Sequence, residues 1–203
     1  MRGIGAVILA AGASARLGQP KQLLTFRGET FVQRAVRAAA EGGCEPVIVV
    51  AGQLGHAIRL GIDGSDSAVT VVENPEWQKG IGTSIRRGVE QLGQSVEAVV
   101  LLTCDQPFVD ASIIVRLIAE REKTGKPIAA CRYADTIGVP ALFDRSLFDA
   151  LRSLPDSSGA KLLIETDPAN TVSIEFAQGA IDIDTPQDLE RLSDSPAFWS
   201  LGE

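Results

Sequence analysis

An apolar run, Ala6-Val-Ile-Leu-Ala10, passes without a break into the small-residue stretch Ala11-Gly-Ala-Ser14, and Arg16 and Lys21 follow at once. Val7, Ile8 and Leu9 predict a strand buried on both faces, as a parallel sheet covered by helices requires. Ala10, Ala11, Gly12, Ala13 and Ser14 carry little or no side chain, so a ligand can come close to the backbone amides. Arg16 and Lys21 set two cations beside that concavity. Amides and two cations past the end of a first strand describe a site for a polyphosphate.

Two better-known phosphate loops fail on spacing. A Walker loop needs Gly, four residues and then Gly-Lys-Ser/Thr; here five residues separate Gly12 from Gly18, and Gln19 follows. A dinucleotide fingerprint needs Gly-x-Gly-x-x-Gly after the strand and an acid at the end of the next strand. The Gly-x-Gly of this chain, Gly3 and Gly5, precedes the strand, and the next apolar strand ends in Gly52-Gln53 without an acid. An ordinary tight turn would not call for so many small residues beside two cations.

The rest of the chain alternates strand and helix. Thr30-Phe-Val-Gln33 forms a capping box for a helix running to about Glu41. Strands are expected at Pro46–Ala51, Val69–Val72, Ala98–Leu102, Ile128–Cys131, Pro140–Phe143 and Val172–Phe176, with a strand-like piece at Ile181–Ile183. Helices are expected near Leu54–Leu60, Thr83–Leu92, Ala111–Lys123 (capped by Asp110), Leu147–Leu154, Lys161–Ile164 and Pro186–Leu192. This order implies an α/β fold with a mostly parallel sheet and helices on both faces. At 203 residues it reads as a single domain over residues 1–193 with a tail over 194–203, in which Phe198 and Trp199 dock or fray.

Composition narrows the partners. A net charge of −7 argues against nucleic acid and makes the cations at the loop more telling. No apolar run approaches the about 20 residues of a membrane span, and no signal-peptide pattern opens the chain. Cys44, Cys104 and Cys131 are too few and unpatterned for a disulfide framework or a zinc site, so the expected location is cytoplasmic. Cys104 reads as a small buried filler.

Ligands of such sheets bind beyond the carboxyl ends of the strands, where the strand order reverses. If the first and fourth strands are neighbours there, the loop after Leu9 meets Thr103-Cys-Asp-Gln-Pro107 in one crevice. A carboxylate at Asp105, just past a buried strand, is costly unless it meets a cation, and Mg²⁺ suits it; an Asx turn before Pro107 is the plainer alternative. A second carboxylate source is Asp182-Ile-Asp-Thr-Pro186. Thr185 can cap the helix that starts at Pro186, which leaves Asp184 free for metal. Asp182, two residues earlier on the expected strand, shares that face, and only rotamer and depth separate the two.

At this point the chain resembles the MobA-like nucleotidyltransferases, and among them the branch of molybdenum cofactor cytidylyltransferases. The resemblance is carried by Leu9-Ala-Ala-Gly12, Ser14, Arg16, Gly18 and Lys21, and continues through Asn74-Pro-Glu-Trp-Gln-Lys-Gly80, Ser84, Asp105-Gln-Pro107, Gly138-Val-Pro140, Gly159-Ala-Lys-Leu-Leu163 and Asp182-Ile-Asp-Thr-Pro186. It implies a Rossmann-like three-layer sandwich of the nucleotide-diphospho-sugar transferase type. It further implies that Leu9 and Ala10 to Ser14 contact the nucleotide, that Arg16 and Lys21 take its phosphates, and that Gly80 and Ser84 lie near base and sugar. Asp105 and Asp184, rather than Asp182, would bind Mg²⁺, with Mn²⁺ as a substitute; Gly138, Pro140 and Lys161 would face the acceptor. Arg16, Lys21 and Asp105 would carry catalysis. The implied reaction is attack of an acceptor phosphate on the α-phosphate of CTP, the acceptor being molybdopterin and a molybdoenzyme a further partner.

Guanylyl-transferring members usually have two glycines where this chain has Ala11-Gly12, which favours CTP over GTP. Two departures stand out. Cys104 replaces the Gly that usually precedes the metal-binding Asp, and Val139 replaces the His of the Gly-His-Pro common in members that modify the pterin. Transfer to a sugar or polyol phosphate therefore stays open, as does a cofactor-binding chaperone without transfer; retention of Arg16, Lys21, Asp105 and Asp184 together speaks against the chaperone. Arg86 and Arg87 read either as acceptor-phosphate contacts or as solvated helix surface, Lys161 as an acceptor contact or a helix start, and His56 as a residue without a catalytic role.

Overall fold

Ala6, Ile8 and Ala10 are buried against one layer of helices, and Val7 and Leu9 against the other. That is what period-two alternation in a continuously apolar strand produces in a sheet covered on both faces. The computed structural model describes residues 3–62 and 68–194, so the tail with Phe198 and Trp199 lies outside the described residues. The apolar run is the core of β1 (Gly3–Ala10). A two-stranded hairpin, β2 (Thr25–Phe26) and β3 (Glu29–Thr30), turns through Arg27 and Gly28 into α1 (Phe31–Glu41). Thr30 accepts from the Gln33 amide while the Gln33 side chain reaches back, the expected capping box.

The remaining elements are β4 (Val47–Ala51), α2 (Gly55–Gly61), β5 (Val69–Glu73), α3 (Ile81–Val89), β6 (Val96–Thr103), α4 (Ala111–Thr124), β7 (Ile128–Tyr133), β8 (Thr136–Asp144), α5 (Phe148–Arg152), α6 (Lys161–Thr166), β9 (Thr171–Glu175) and α7 (Pro186–Asp194). Sheet order is β5-β4-β1-β6-β8-β7-β9. Every pairing within this sheet is parallel except those of β8, which runs antiparallel to β6 and β7. Residues of α1 and α4 pack with one face of the sheet, and those of α3, α5 and α6 with the other, giving the three layers expected.

The chain leaves β1 toward β4 and returns on the far side at β6, so the reversal falls between β1 and β6. Ile8 pairs with Leu102 and Leu9 with Thr103, which brings the loop after Ala10 and the Cys104-Asp105 segment to the same end. One expectation fails. Ile181–Ile183 is not a strand: Ile183 is buried with Phe26, Phe31 and Leu192, and its amide donates to the Asp105 carbonyl at 3.1 Å. The Ile-Asp-Ile-Asp alternation reflects docking of one side chain into an aromatic socket, not a ladder. Asp182 and Asp184 therefore do not share a strand face, and their side chains take different partners.

Candidate active site

Ser14 adopts φ 54°, the left-handed region that a non-glycine residue enters only when its surroundings compel it. Here the turn lets its carbonyl accept from the Leu17 and Gly18 amides, both at 3.1 Å. Its hydroxyl accepts from the Lys21 amide at 3.1 Å and donates to Gln22 Oε1 at 3.4 Å. Gln22, 1% exposed, donates through Nε2 to the carbonyls of Ala10 (3.1 Å) and Gly12 (2.7 Å). A loop of Ala and Gly has no side chains to satisfy its own carbonyls, and this amide does it from the far end of the loop.

Two adjoining cavities open beside the loop. One, of about 300 Å³, is walled by residues 10–15, Gln22, Gly52, Gln53 and Trp77. The other, of about 240 Å³, is walled by Leu9, Lys21, Ser84, Cys104 and Asp105, and shares Ala11, Gly12, Gln22 and Trp77 with the first. Gly52 is required on the wall of the first: a Cβ there would lie 2.8 Å from the Ala11 carbonyl oxygen and 3.0 Å from the Trp77 ring.

The acids converge on the loop's cations. Lys21 Nζ donates to Asp105 Oδ2 at 2.5 Å and to Asp184 Oδ1 at 2.8 Å, and exposed Arg16 donates to Asp184 Oδ2 at 2.6 Å. Burial alone would lower the Lys21 ammonium, but attraction to Asp105 and hydrogen bonds to both carboxylates outweigh it and hold the group well above its usual range. Asp184 is held below the usual carboxylate range, first by the Lys21 hydrogen bond and then by the charges of Lys21 and Arg16. Asp182 behaves oppositely. The residue is exposed, yet its carboxyl stands in a crowded mouth, where lost hydration and then repulsion from Asp105 and Asp184 push it up to about 6. Burial pushes the Cys104 thiol up to about 12, which leaves it the inert filler expected.

The fit to a divalent metal follows from the same geometry. Asp105 and Asp184 already grip one cation, the Lys21 ammonium, in the position between them. Both are hard oxygen donors. Among the described residues no set of three acidic, His or Cys side chains forms a cage on its own. Two carboxylates with the remaining positions left to substrate phosphates and water is how Mg²⁺ is usually bound.

Of the other expected residues, Ser84 is buried on the second cavity and accepts from Asn74 Nδ2 at 3.0 Å. Gly80 is turned away from both cavities: at φ 138° it lies against Asp156, where a Cβ would be 2.3 Å from that carbonyl oxygen. Arg86 is held rather than loose surface, for it donates to the Leu154 carbonyl and to Asp156, each at 2.5 Å. Gly138 is buried against the Tyr133 hydroxyl, Pro140 is buried, and Lys161 pairs with Glu165 at 3.5 Å. None of these three walls the two cavities. His56 is exposed on α2. Sequence reasoning passed over Gln22, Trp77 as a wall, and Gln106; the available signal was a lone amide side chain set against small or apolar neighbours, which must find backbone partners when buried.

Comparison with known proteins gives the chain its relatives. The family model described as MobA-like NTP transferase domain matches residues 6–172. Molybdenum cofactor cytidylyltransferase of Escherichia coli is 26% identical over 93% of this chain and 94% of its own length. Nicotine blue oxidoreductase of Paenarthrobacter nicotinovorans is 28% identical over 92% of this chain and 94% of its own. Among solved structures, Rv0371c of Mycobacterium tuberculosis superposes with a TM-score of 0.80 at 30% identity, covering 96% of this chain and all of that one, and it has also been crystallised as a manganese complex.

Proposed function

We propose that this nucleotidyltransferase, a chain that belongs to the MobA-like NTP transferase family, moves CMP from CTP to a phosphate-bearing acceptor of the molybdopterin type and releases pyrophosphate. The observation that carries this reading is the convergence of Lys21 on Asp105 and Asp184 at the foot of the Ala10–Ser14 loop. A plain turn has no use for two carboxylates and a half-buried lysine at the end of a parallel strand. The relative from Escherichia coli, named for this cytidylyl transfer, supports the substrate pair. The manganese complex of the mycobacterial protein supports a divalent ion, here Mg²⁺ with Mn²⁺ able to replace it.

In this reading a phosphate oxygen of the acceptor attacks the α-phosphorus of CTP. The new P–O bond forms opposite the one that breaks to pyrophosphate. The chain supplies no nucleophile of its own. The loop amides and Lys21 align the triphosphate, Arg16 adds charge at the rim, and Asp105 and Asp184 hold the metal. The bound metal supplies positive charge where the phosphate oxygens gain negative charge.

Ala11 adds a methyl group where the guanylyl-transferring relatives carry Gly, and one methyl in a pocket is worth about 1–3 kcal/mol, or roughly 10- to 200-fold. CTP is therefore expected to be used in preference to GTP by that factor. The test is pyrophosphate release with Mg²⁺, each of the four NTPs in turn, and either extracted molybdopterin or a panel of sugar and polyol phosphates. Release that requires CTP and molybdopterin supports the reading. Val139, without the imidazole of the pterin-modifying relatives, gives the sugar-phosphate arm its interest, and release there alone would reassign the acceptor. Equal use of GTP would move the chain to the guanylyl-transferring branch. Among the described residues no helix is long and apolar enough to cross a membrane.

A further inference from the structure

Gln106 follows Asp105 directly, is 6% exposed, and belongs to neither cavity wall. Its Nε2 donates to the Gly179 carbonyl at 2.9 Å and, more weakly, to the Val139 carbonyl at 3.4 Å. Its Oε1 accepts from the Thr103 hydroxyl at 3.4 Å. The same side chain interacts with the Asp182 carboxyl and the Tyr133 hydroxyl, while Tyr133 itself donates to the Val139 carbonyl at 2.9 Å. Three segments distant in sequence thus meet on one buried amide: the end of β6, the middle of β8, and the turn at residues 177–180 that leads to Asp182.

The turn needs such a fastener. Residues 181–184 have no strand partner, and the backbone link from there to the metal side is the Ile183 amide on the Asp105 carbonyl. Gly179 is packed so closely that a Cβ would lie 2.6 Å from Phe176 and 2.7 Å from Tyr133, which keeps its carbonyl at one position, aimed at Gln106. Where Asp182 and Asp184 stand relative to Asp105 therefore depends on the Ile183 link, on the apolar socket of Ile183, and on this amide.

We propose that Gln106 is a positioning residue for the metal site: by tying the 177–180 turn and β8 to the end of β6, it fixes the spacing between the carboxylate of Asp105 and those of Asp182 and Asp184. It lines neither of the two cavities beside the loop. The proposal rests on the reading of Asp105 and Asp184 as the metal-binding pair. A glutamine suits the position because the carbonyls of Gly179 and Val139 demand a donor, whereas a glutamate would face them with acceptors only. Partners of this kind, behind the ligands themselves, commonly change metal affinity by roughly 10- to 100-fold when removed.

The test uses the full chain with Gln106→Met, which keeps the length and removes the hydrogen bonds. Gln106→Asn keeps an amide of shorter reach and serves if the methionine variant does not fold. Mn²⁺ affinity is read from the electron paramagnetic resonance signal of free Mn²⁺, and pyrophosphate release is followed against Mg²⁺ and CTP concentration. In Gln106→Met the Mn²⁺ dissociation constant is expected to rise roughly tenfold, with kcat reduced, KM for CTP within about twofold, and the rate recovered by excess metal. Gln106→Asn should show the same pattern at about threefold. Wild-type Mn²⁺ affinity in a folded variant would overturn the proposal, since a merely structural residue would lower only the folded fraction. A wild-type protein that binds no Mn²⁺ would overturn it together with the metal pair. A wild-type protein that binds Mn²⁺, loses affinity in Gln106→Met and yet releases no pyrophosphate would support the positioning role while refuting the proposed transfer.

Discussion

On the loop side of the crevice the contacts are neutral: Gln22 to the carbonyls of Ala10 and Gly12, Ser14 to the Lys21 amide, Gly52 against Trp77. On the acid side they are ion pairs between residues up to 168 positions apart, Lys21 with Asp105 and Asp184, and Arg16 with Asp184. The first set fixes the shape of a cavity before any ligand arrives. The second set can change partners, because a metal–triphosphate pair offers each carboxylate a cation and each cation a phosphate. A neutral frame gives a site its form, and exchangeable charges leave it ready for a charged substrate.

Substitutions on the two sides should then separate activity from stability. The largest effect is expected on the acid side. Asp105→Asn should lower kcat by about 10²–10³-fold, the cost of losing one electrostatic stabiliser, with little change in the thermal midpoint. Asp184→Ala should approach that loss and Asp182→Ala fall well short of it. Pyrophosphate release at saturating Mg²⁺, measured beside thermal unfolding, checks the three. A stability loss matching the activity loss in Asp105→Asn would erase the distinction between the sides.

On the neutral side, Gln22→Leu leaves two loop carbonyls without their donor and should cost about 2 kcal/mol of stability, with CTP binding weakened in step. Urea unfolding together with a CTP titration measures both. Loss of CTP binding at unchanged stability would make Gln22 a direct ligand rather than part of the frame.

The smallest effect concerns Asp182. Its carboxyl titrates near 6 in the folded chain and near 3.9 when unfolded, so between those values the folded state holds the extra proton. Stability supplied by that proton is complete below about pH 4 and is lost as pH rises through 6. Asp182→Asn removes the cost. In chelator, the variant should be more stable than the parent by about 1 kcal/mol at pH 7, after allowance for solvent screening, with the gap closing toward pH 4. An unchanging gap across that range would detach Asp182 from the charges of Asp105 and Asp184.

Much of the loop side was legible in the sequence, because its determinants are contiguous. An apolar run buried on both faces, a stretch of small residues and two cations all lie within Ala6–Lys21, and the apolar runs of β4 and β6 place that loop at the reversal of strand order. The acid side was legible as a set of residues but not as an arrangement. Asp105 and Asp184 were found from their places at a strand end and a helix start. That Lys21 would grip both depends on packing, as does the docking of Ile183 that cancels an apparent strand. Gln22 and Gln106 were passed over for a related reason. A single amide leaves no periodic trace, and its importance arises only when separate backbone carbonyls are brought to it.

The most direct measurement is a crystal structure of the wild-type protein soaked with Mn²⁺ and CTP, with the metal located by its anomalous scattering. The predicted result is one Mn²⁺ peak between the carboxylates of Asp105 and Asp184, the triphosphate along residues 10–21, and Lys21 Nζ moved from the acids to a phosphate. A peak bound elsewhere, or a triphosphate lying outside that loop, would contradict the assignment of the crevice.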